Sequence, residues 1–322
     1  MLGLPTTASG RQLGWMAAWG IALLALTPAA FGQAAKKTAP ATSTQAGTLA
    51  RIQKTGILKL GYRTDAPPFS YRDQAGKPAG YSVELCQTVG EAVDGELDRP
   101  VKVEWVAVSV EDQLGAVQRH EIDVLCAAQT VTLERRKQVD FSTPIFPGGV
   151  GVLVRSDAPR QLKNILAGKA RDYSPTWRAV ALNILREQIF ATVAGTTAEQ
   201  WVKQRSQELN VQSHMIPVPN YDAGIQAVVD RDASAFFAER AILLDAVRRG
   251  PESKRLTVVE RLFTYEPLAL TISRGDEDFR LLVDRSLSRL YDSPAFPETY
   301  EKWFGEPDET AKTFYRWNAL AD

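Results

Sequence analysis

The chain has 322 residues, 44% apolar and 24% charged, which supplies a sizeable core for one or two domains. Its 38 basic residues balance 38 acidic ones, which argues against a nucleic-acid surface or a polyanionic partner. Electrostatic recognition in this chain is therefore local.

The first 32 residues carry one charge, Arg11, and an apolar run from Gly14 to Leu26 that closes in the small-residue stretch "TPAAFG". This is a signal-peptide pattern, and the run is shorter than the ~20 residues a membrane span needs. Cleavage is expected after Gly32, with 33–48 as a disordered leader poor in large apolar groups. An exported compartment allows Cys86 and Cys126 to pair, with two buried reduced thiols as the alternative.

From there the spacing predicts a strand at 57–63 ("ILKLGYR"), a Pro/Gly-rich loop, and a helix marked by Leu85, Cys86, Val89, Ala92 and Val93. A strand follows in "VKVEWVAV", then a helix from Glu111 to Arg119 and the strand "IDVLCAA" (122–128). Thr132 is placed as the N-cap of a helix from Leu133 to Val139. After "GGVGVLVR" (148–155) a second β/α series begins: "IFATVAG", "TTAEQWVKQRSQEL", "VQSHMIPV", "YDAGIQAVVDR", "ASAFFA" and "ERAILLDAVRR". Alternating strands and helices predict mostly parallel sheets covered by helices, here as two facing lobes. The tail from Asp276 to Ala321 is predicted helical, with Leu281, Leu282, Leu287, Leu290, Tyr300 and Trp303 as packing residues.

Catalytic and metal patterns are absent. His120 and His214 stand apart without ligand spacing, and no nucleophile elbow, Walker loop or dinucleotide fingerprint occurs. Two stretches could hold an anion. In "VAGTTAEQW", Thr196 and Glu199 form a capping box after Gly195, either an ordinary cap or a helix N-terminus facing a carboxylate. In "QTVTLERRKQVDFSTP", Arg135 either pairs at the surface with Glu134 or Asp140, or grips a carboxylate through two hydrogen bonds.

The blocks "GYRTDAPPFSYRDQAGKPAGYSVELC", "EIDVLCAAQTVTLERRKQVDFSTPIF", "VAGTTAE" and "ETYEKWFG" stand in an order that resembles the polar amino-acid solute-binding proteins of ABC importers, most nearly the glutamate/aspartate-binding branch. The resemblance spans about residues 50–305. It implies an α/β, two-lobe periplasmic-binding-protein fold of the type II, Venus-flytrap kind. Lobe 1 is expected to comprise 49–148 and 268–322, and lobe 2 149–267, with hinges near 147–150 and 266–269. The implied function is periplasmic capture of a free amino acid, acidic or polar, and delivery to a membrane permease. The resemblance implies a monomer without cofactor, metal or nucleic acid. A dehydratase-like enzyme on the same scaffold and a ligand-sensing partner of a membrane receptor are the alternatives.

By the same resemblance, Arg135 holds the ligand α-carboxylate, assisted by the Thr130 hydroxyl, the backbone near Ala128, and Thr197 from the second lobe. Glu239 falls where the family usually has an aspartate for the α-ammonium. Arg63 is the arginine found in binders of acidic amino acids, favouring an anionic or hydrogen-bonding ligand side chain. Phe69, in "PPFSY", completes the expected site. Tyr221 replaces a histidine seen in glutamate/aspartate binders, which loosens the expected specificity, and Ala128 replaces a hydroxyl residue. The segment 170–188 is an insertion. Ser174 as cap, Pro175, and a face of Trp177, Val180, Ala181, Ile184 and Leu185 predict a helix near 174–188 that packs on the second lobe or meets a partner.

Overall fold

The computed structural model describes residues 47–169, 175–211 and 213–321. The signal-peptide assignment, nearly all of the leader and the Ser174 cap lie outside the described residues. Gln45–Asp322 forms one compact unit. In chain order its first part runs α1 (Thr48–Thr55), β1 (Ile57–Tyr62), β2 (Asp65–Ala66), β3 (Ser70–Arg72), β4 (Pro78–Ala79), α2 (Tyr81–Glu96), β5 (Lys102–Ala107), α3 (Gln113–Gln118), β6 (Val124–Thr130) and β7 (Asp140–Gly148). The second part runs β8 (Val150–Arg155), α4 (Arg160–Leu166), α5 (Pro175–Arg186), β9 (Ile189–Val193), α6 (Thr197–Glu208), β10 (His214–Val218), α7 (Tyr221–Val229), β11 (Ala235–Glu239), α8 (Arg240–Arg249) and β12 (Leu256–Val258). The chain then returns through β13 (Glu266–Ile272) to α9 (Glu277–Tyr291), α10 (Phe296–Phe304) and α11 (Glu309–Asn318).

These strands make two five-stranded sheets, ordered β5-β1-β6-β13-β7 and β10-β9-β11-β8-β12. In the first, β1 is parallel to β5 and β6, whereas β13 is antiparallel to β6 and β7. In the second, β9 is parallel to β10 and β11, and β8 is antiparallel to β11 and β12. Each sheet is the floor of a lobe, and both faces of each are apolar, as helix-covered parallel strands require. One face of the first sheet buries Leu58, Leu60, Val124 and Leu270 against α2 and the returning α9 and α10. The other buries Leu125 and Phe141 against Val117 and Ile122. The second sheet repeats the arrangement, with Val152 and Phe237 inward on one side and Leu153 and Phe236 on the other.

Several elements depart from the sequence reading. Order begins before the expected end of the leader: the Thr48 N–H donates to Asp276 Oδ2 at 2.7 Å, and α1 opens there. The helix expected over Leu133–Val139 is only a 3₁₀ turn, Arg135–Lys137. Leu133 is 85% exposed, so no apolar face exists to pay for a longer helix. The proposed Thr132 cap still operates, since its Oγ1 accepts from the Arg135 N–H at 3.1 Å. Leu281 is 56% exposed, unlike its buried neighbour Leu282. In α5, Ala181 is buried and Leu185 packs on the second lobe, but Val180 turns outward. Cys86 and Cys126 are joined as a disulfide between α2 and β6, with Cα atoms 5.9 Å apart.

Candidate functional site

The site is assembled from strand ends. In both sheets the carboxyl ends of the parallel strands face the same cavity, the position where open α/β sheets collect ligands. Arg63 follows β1, Thr130 ends β6, Gly195 and Thr197 follow β9, Tyr221 follows β10 and Glu239 ends β11. All eight residues singled out by the sequence, Arg63, Phe69, Ala128, Thr130, Arg135, Thr197, Tyr221 and Glu239, line this one cavity. It holds about 60 Å³ of room, several times the ~10–15 Å³ that a single water requires. The lobes meet across it, with Thr130 Oγ1 and Thr197 Oγ1 3.4 Å apart.

Local structure sets each side chain. Thr196 Oγ1 accepts from the Glu199 N–H at 3.3 Å, and Glu199 Oε2 accepts from the Gly195 N–H at 2.9 Å. This capping box uses two donors of the α6 N-terminus for itself and leaves the Thr197 hydroxyl to the cavity side. That hydroxyl donates to Glu266 Oε2 at 3.0 Å. Asn220 caps α7 through its Oδ1, holding Tyr221 in the first turn. Burial pushes the Tyr221 phenol up to about 12, so it is a neutral hydroxyl. Phe69 is 1% exposed and packs edge-on to Phe146 and Tyr81, forming an apolar wall.

Arg135 turns inward, not to Glu134 or Asp140. Its Nη1 donates to the Thr130 carbonyl at 2.9 Å, and Glu134 pairs instead with Lys137 at 2.5 Å. Burial lowers the Arg135 pKa, opposed by the nearby Glu266 carboxylate and Tyr221. Arg63 is 5% exposed, and its Nη2 lies 2.7 and 2.8 Å from the two Asp65 oxygens. Its charge is therefore met within the chain.

Glu239 sits at the crossing between the lobes. Its Oε2 accepts from the Gly149 N–H at 2.8 Å and its Oε1 from the Ala241 N–H at 3.3 Å, the latter capping α8. Burial pushes its carboxyl up to about 8 despite those hydrogen bonds, and the Glu266 charge adds to the rise. Each oxygen retains a lone pair for a further donor, so an ammonium could still be held there.

Three further polar residues of the cavity escaped the sequence reading: Gln113, Gln129 and Glu266. Glu266 opens β13, at the second crossing, and accepts hydroxyl hydrogens from both Thr197 and Thr264. Gln129 lay within the quoted arginine stretch, and its place just past the predicted strand end hid its burial. Gln113 carried no signal beyond its position at a helix start. Among the described residues no group of His, Cys, Asp and Glu could hold a metal ion.

A cleft between two α/β lobes, lined by two arginines, hydroxyls and two carboxylates, defines a protein that closes around a small polar molecule. The model of the family described as bacterial extracellular solute-binding proteins, family 3, matches residues 58–306, and the chain belongs to that family. It is 30% identical to an L-glutamate/L-aspartate-binding protein of Pseudomonas aeruginosa over 81% of each chain. It is 24% identical to a glutamate/aspartate import solute-binding protein of Escherichia coli, over 89% of this chain and 88% of that one. Among solved structures it resembles an ancestral amino acid-binding protein described as a precursor of cyclohexadienyl dehydratase, with TM-score 0.65 and 27% identity. That match covers 80% of this chain and all of the other.

Proposed function

We propose that this chain is an exported binding protein that closes its lobes on a free amino acid and presents it to an ABC-type import permease. The observation that carries the reading is the inward Arg135, half-buried beside the Thr130 and Thr197 hydroxyls in a cavity that also holds two carboxylates. That arrangement suits a zwitterion. Arg135, Thr130, Thr197 and the backbone near Ala128 take the α-carboxylate; Glu239 takes the α-ammonium; Arg63, Tyr221 and Phe69 surround the side chain. Lobe 1 is assigned 49–148 and 268–322, and lobe 2 149–267. The Cys86–Cys126 disulfide and the signal-like N-terminal sequence support a periplasmic location. The protein acts as a monomer in this reading.

Glu239, half-buried and raised to about 8, is the cavity carboxyl that would suit proton transfer, and a structural relative is named as a dehydratase precursor. Both of its oxygens are nevertheless held by backbone N–H groups at the hinge, which fits a fixed binding group better than a mobile acid. We therefore assign binding without catalysis.

A thermal-shift screen of the mature chain against the twenty amino acids tests the reading, since a ligand at 100 times its Kd stabilises by about 2.7 kcal/mol. At least one polar amino acid should raise the melting temperature. Arg135→Ala should abolish that shift and weaken calorimetric binding by about 100-fold or more, as expected for a lost desolvated ionic contact. Undiminished binding by the Arg135→Ala protein would remove the carboxylate anchor from the assignment.

A further inference from the structure

Resting on the amino-acid-binding reading, we propose that Gln113 reads the ligand side chain, and that the preferred ligand is a carboxamide amino acid, glutamine or asparagine, over its acidic counterpart. Gln113 opens α3, is 5% exposed and lines the cavity. One terminal atom of its amide is buried without a hydrogen-bond partner among the described residues, and so is the Arg63 Nε. Two unpaired polar atoms at one cavity are costly unless something else satisfies them.

The chemical identity of the unpaired Gln113 atom follows from a chain of three side chains. Arg135 Nη1 and Nη2 lie 2.9 and 3.2 Å from one terminal atom of the Gln129 amide. A guanidinium only donates, so that atom is the Gln129 oxygen. The Gln129 nitrogen then stands 3.2 Å from the Gln113 amide and donates to it. Gln113 must receive that hydrogen on its own oxygen, which leaves its NH₂ group as the unpaired end. The fixed cation thus sets the direction of both amides, and the cavity is offered a donor. Arg63 Nε–H is a second donor. A ligand side chain satisfies them only with an acceptor oxygen.

Charge separates carboxamide from carboxylate. Asp65 already pairs with Arg63, Arg135 is committed to the α-carboxylate, and Glu266 adds a carboxylate to the cavity wall. A second ligand carboxylate would enter without a counter-charge, and an uncompensated buried charge is strongly unfavourable. A carboxamide brings the same oxygen with no charge.

The test is calorimetry at pH 7.5 on the mature chain with L-glutamine, L-asparagine, L-glutamate, L-aspartate and L-norvaline. One carboxamide should bind at least about tenfold more tightly than its acid and than norvaline, because a site built to hydrogen-bond a group rejects analogues that lack it. Gln113→Leu should cost that carboxamide about tenfold or more while leaving norvaline binding within about twofold. Gln129→Leu, which breaks the relay without removing Gln113, should reduce the same discrimination. Gln113→Glu keeps the side-chain shape but replaces the donor with an acceptor, and should also lose the carboxamide preference. Equal or tighter binding of the acid by the native protein overturns the inference, and so does a Gln113→Leu loss that falls equally on norvaline. If no amino acid binds at all, the failure lies with the binding reading.

Discussion

Thr130 and Thr197 bring their hydroxyls to within 3.4 Å of each other across the cavity, one at the end of β6 and the other at the start of α6. The two are not equivalent. The Thr130 carbonyl already fixes Arg135, whereas the Thr197 hydroxyl reaches across to Glu266 in the returning strand β13. A carboxylate between the lobes would take the Thr197 hydrogen in place of Glu266. Thr197→Val, which preserves shape, should therefore weaken amino-acid binding about 10–100-fold, the range of a hydrogen bond to a charged group. Thr130→Val should cost less, because its carbonyl contact with Arg135 survives. Calorimetry on both variants decides, and full affinity in Thr197→Val would exclude that hydroxyl from the grip.

Glu239 predicts a pH dependence with a definite sign. Its folded pKa of about 8 lies above the ordinary value of 4.5, so the folded state binds the proton more tightly than the unfolded state. Its contribution to stability is complete below about pH 4.5 and is lost as pH rises through about 8. The ligand-free melting temperature should fall across this window, and Glu239→Gln should flatten the slope while lowering the low-pH value through one lost backbone hydrogen bond. An ammonium bound at Glu239 favours its charged form, so amino-acid binding near pH 7 should release a proton. Calorimetric enthalpies in buffers of different ionisation enthalpy report that release directly. Buffer-independent enthalpy would mean that the ammonium sits elsewhere.

The order of strands and helices is legible in the sequence because alternating apolar runs and helical spacing are local signals. Leu58 and Leu60 in β1 announce one buried face of a strand, and Phe236 and Phe237 in β11 announce a strand buried on both. The direction of Arg135 is not local. The same arginine pair fits a surface pairing until the fold turns Arg135 toward Thr130 and leaves Glu134 to Lys137. Gln113 and Gln129 are less legible still, since an amide's role depends on a partner 16 residues away in another element and on a cation that fixes its orientation. Leu133 misled for a different reason: an apolar residue in a short turn read as a helix face, although it lies 85% exposed.

The Cys86–Cys126 bond ties α2 to β6 across 40 residues, and both sulfurs are fully buried. Closing a loop of that length in the unfolded chain corresponds to about 4 kcal/mol in the chain-entropy account of disulfides. Cys86→Ala with Cys126→Ala should lower the denaturant midpoint by a corresponding amount, with amino-acid affinity nearly unchanged, since neither cysteine lines the cavity. Burial also protects the bond, so dithiothreitol should reduce it slowly in the folded protein and quickly in denaturant. Thiol titration follows both rates. Two free thiols in the native, non-reduced protein would contradict the pairing.

The two crossings between the lobes touch at Gly149. Its N–H donates to Glu239, the Arg240 N–H donates to its carbonyl at 3.0 Å, and a methyl group there would press on the Thr264 backbone carbonyl of the other crossing. Val150 reinforces the contact by donating its N–H to Thr264 Oγ1 at 2.9 Å. Because the obstacle is backbone held from both sides, Gly149→Ala has no flexible neighbour to displace and should cost about 1–3 kcal/mol of stability, as overpacking does. It should also change the angle at which the lobes meet, and with it amino-acid affinity. Gly195 is the control: it has φ +75° but open space around the added carbon, so Gly195→Ala should cost only about 1 kcal/mol of backbone strain. Calorimetric melting gives the two stabilities, and small-angle scattering with and without ligand gives the closure. Gly149→Ala would have to match Gly195→Ala in stability and close normally for the crossing contact to be dismissed as a determinant of lobe geometry.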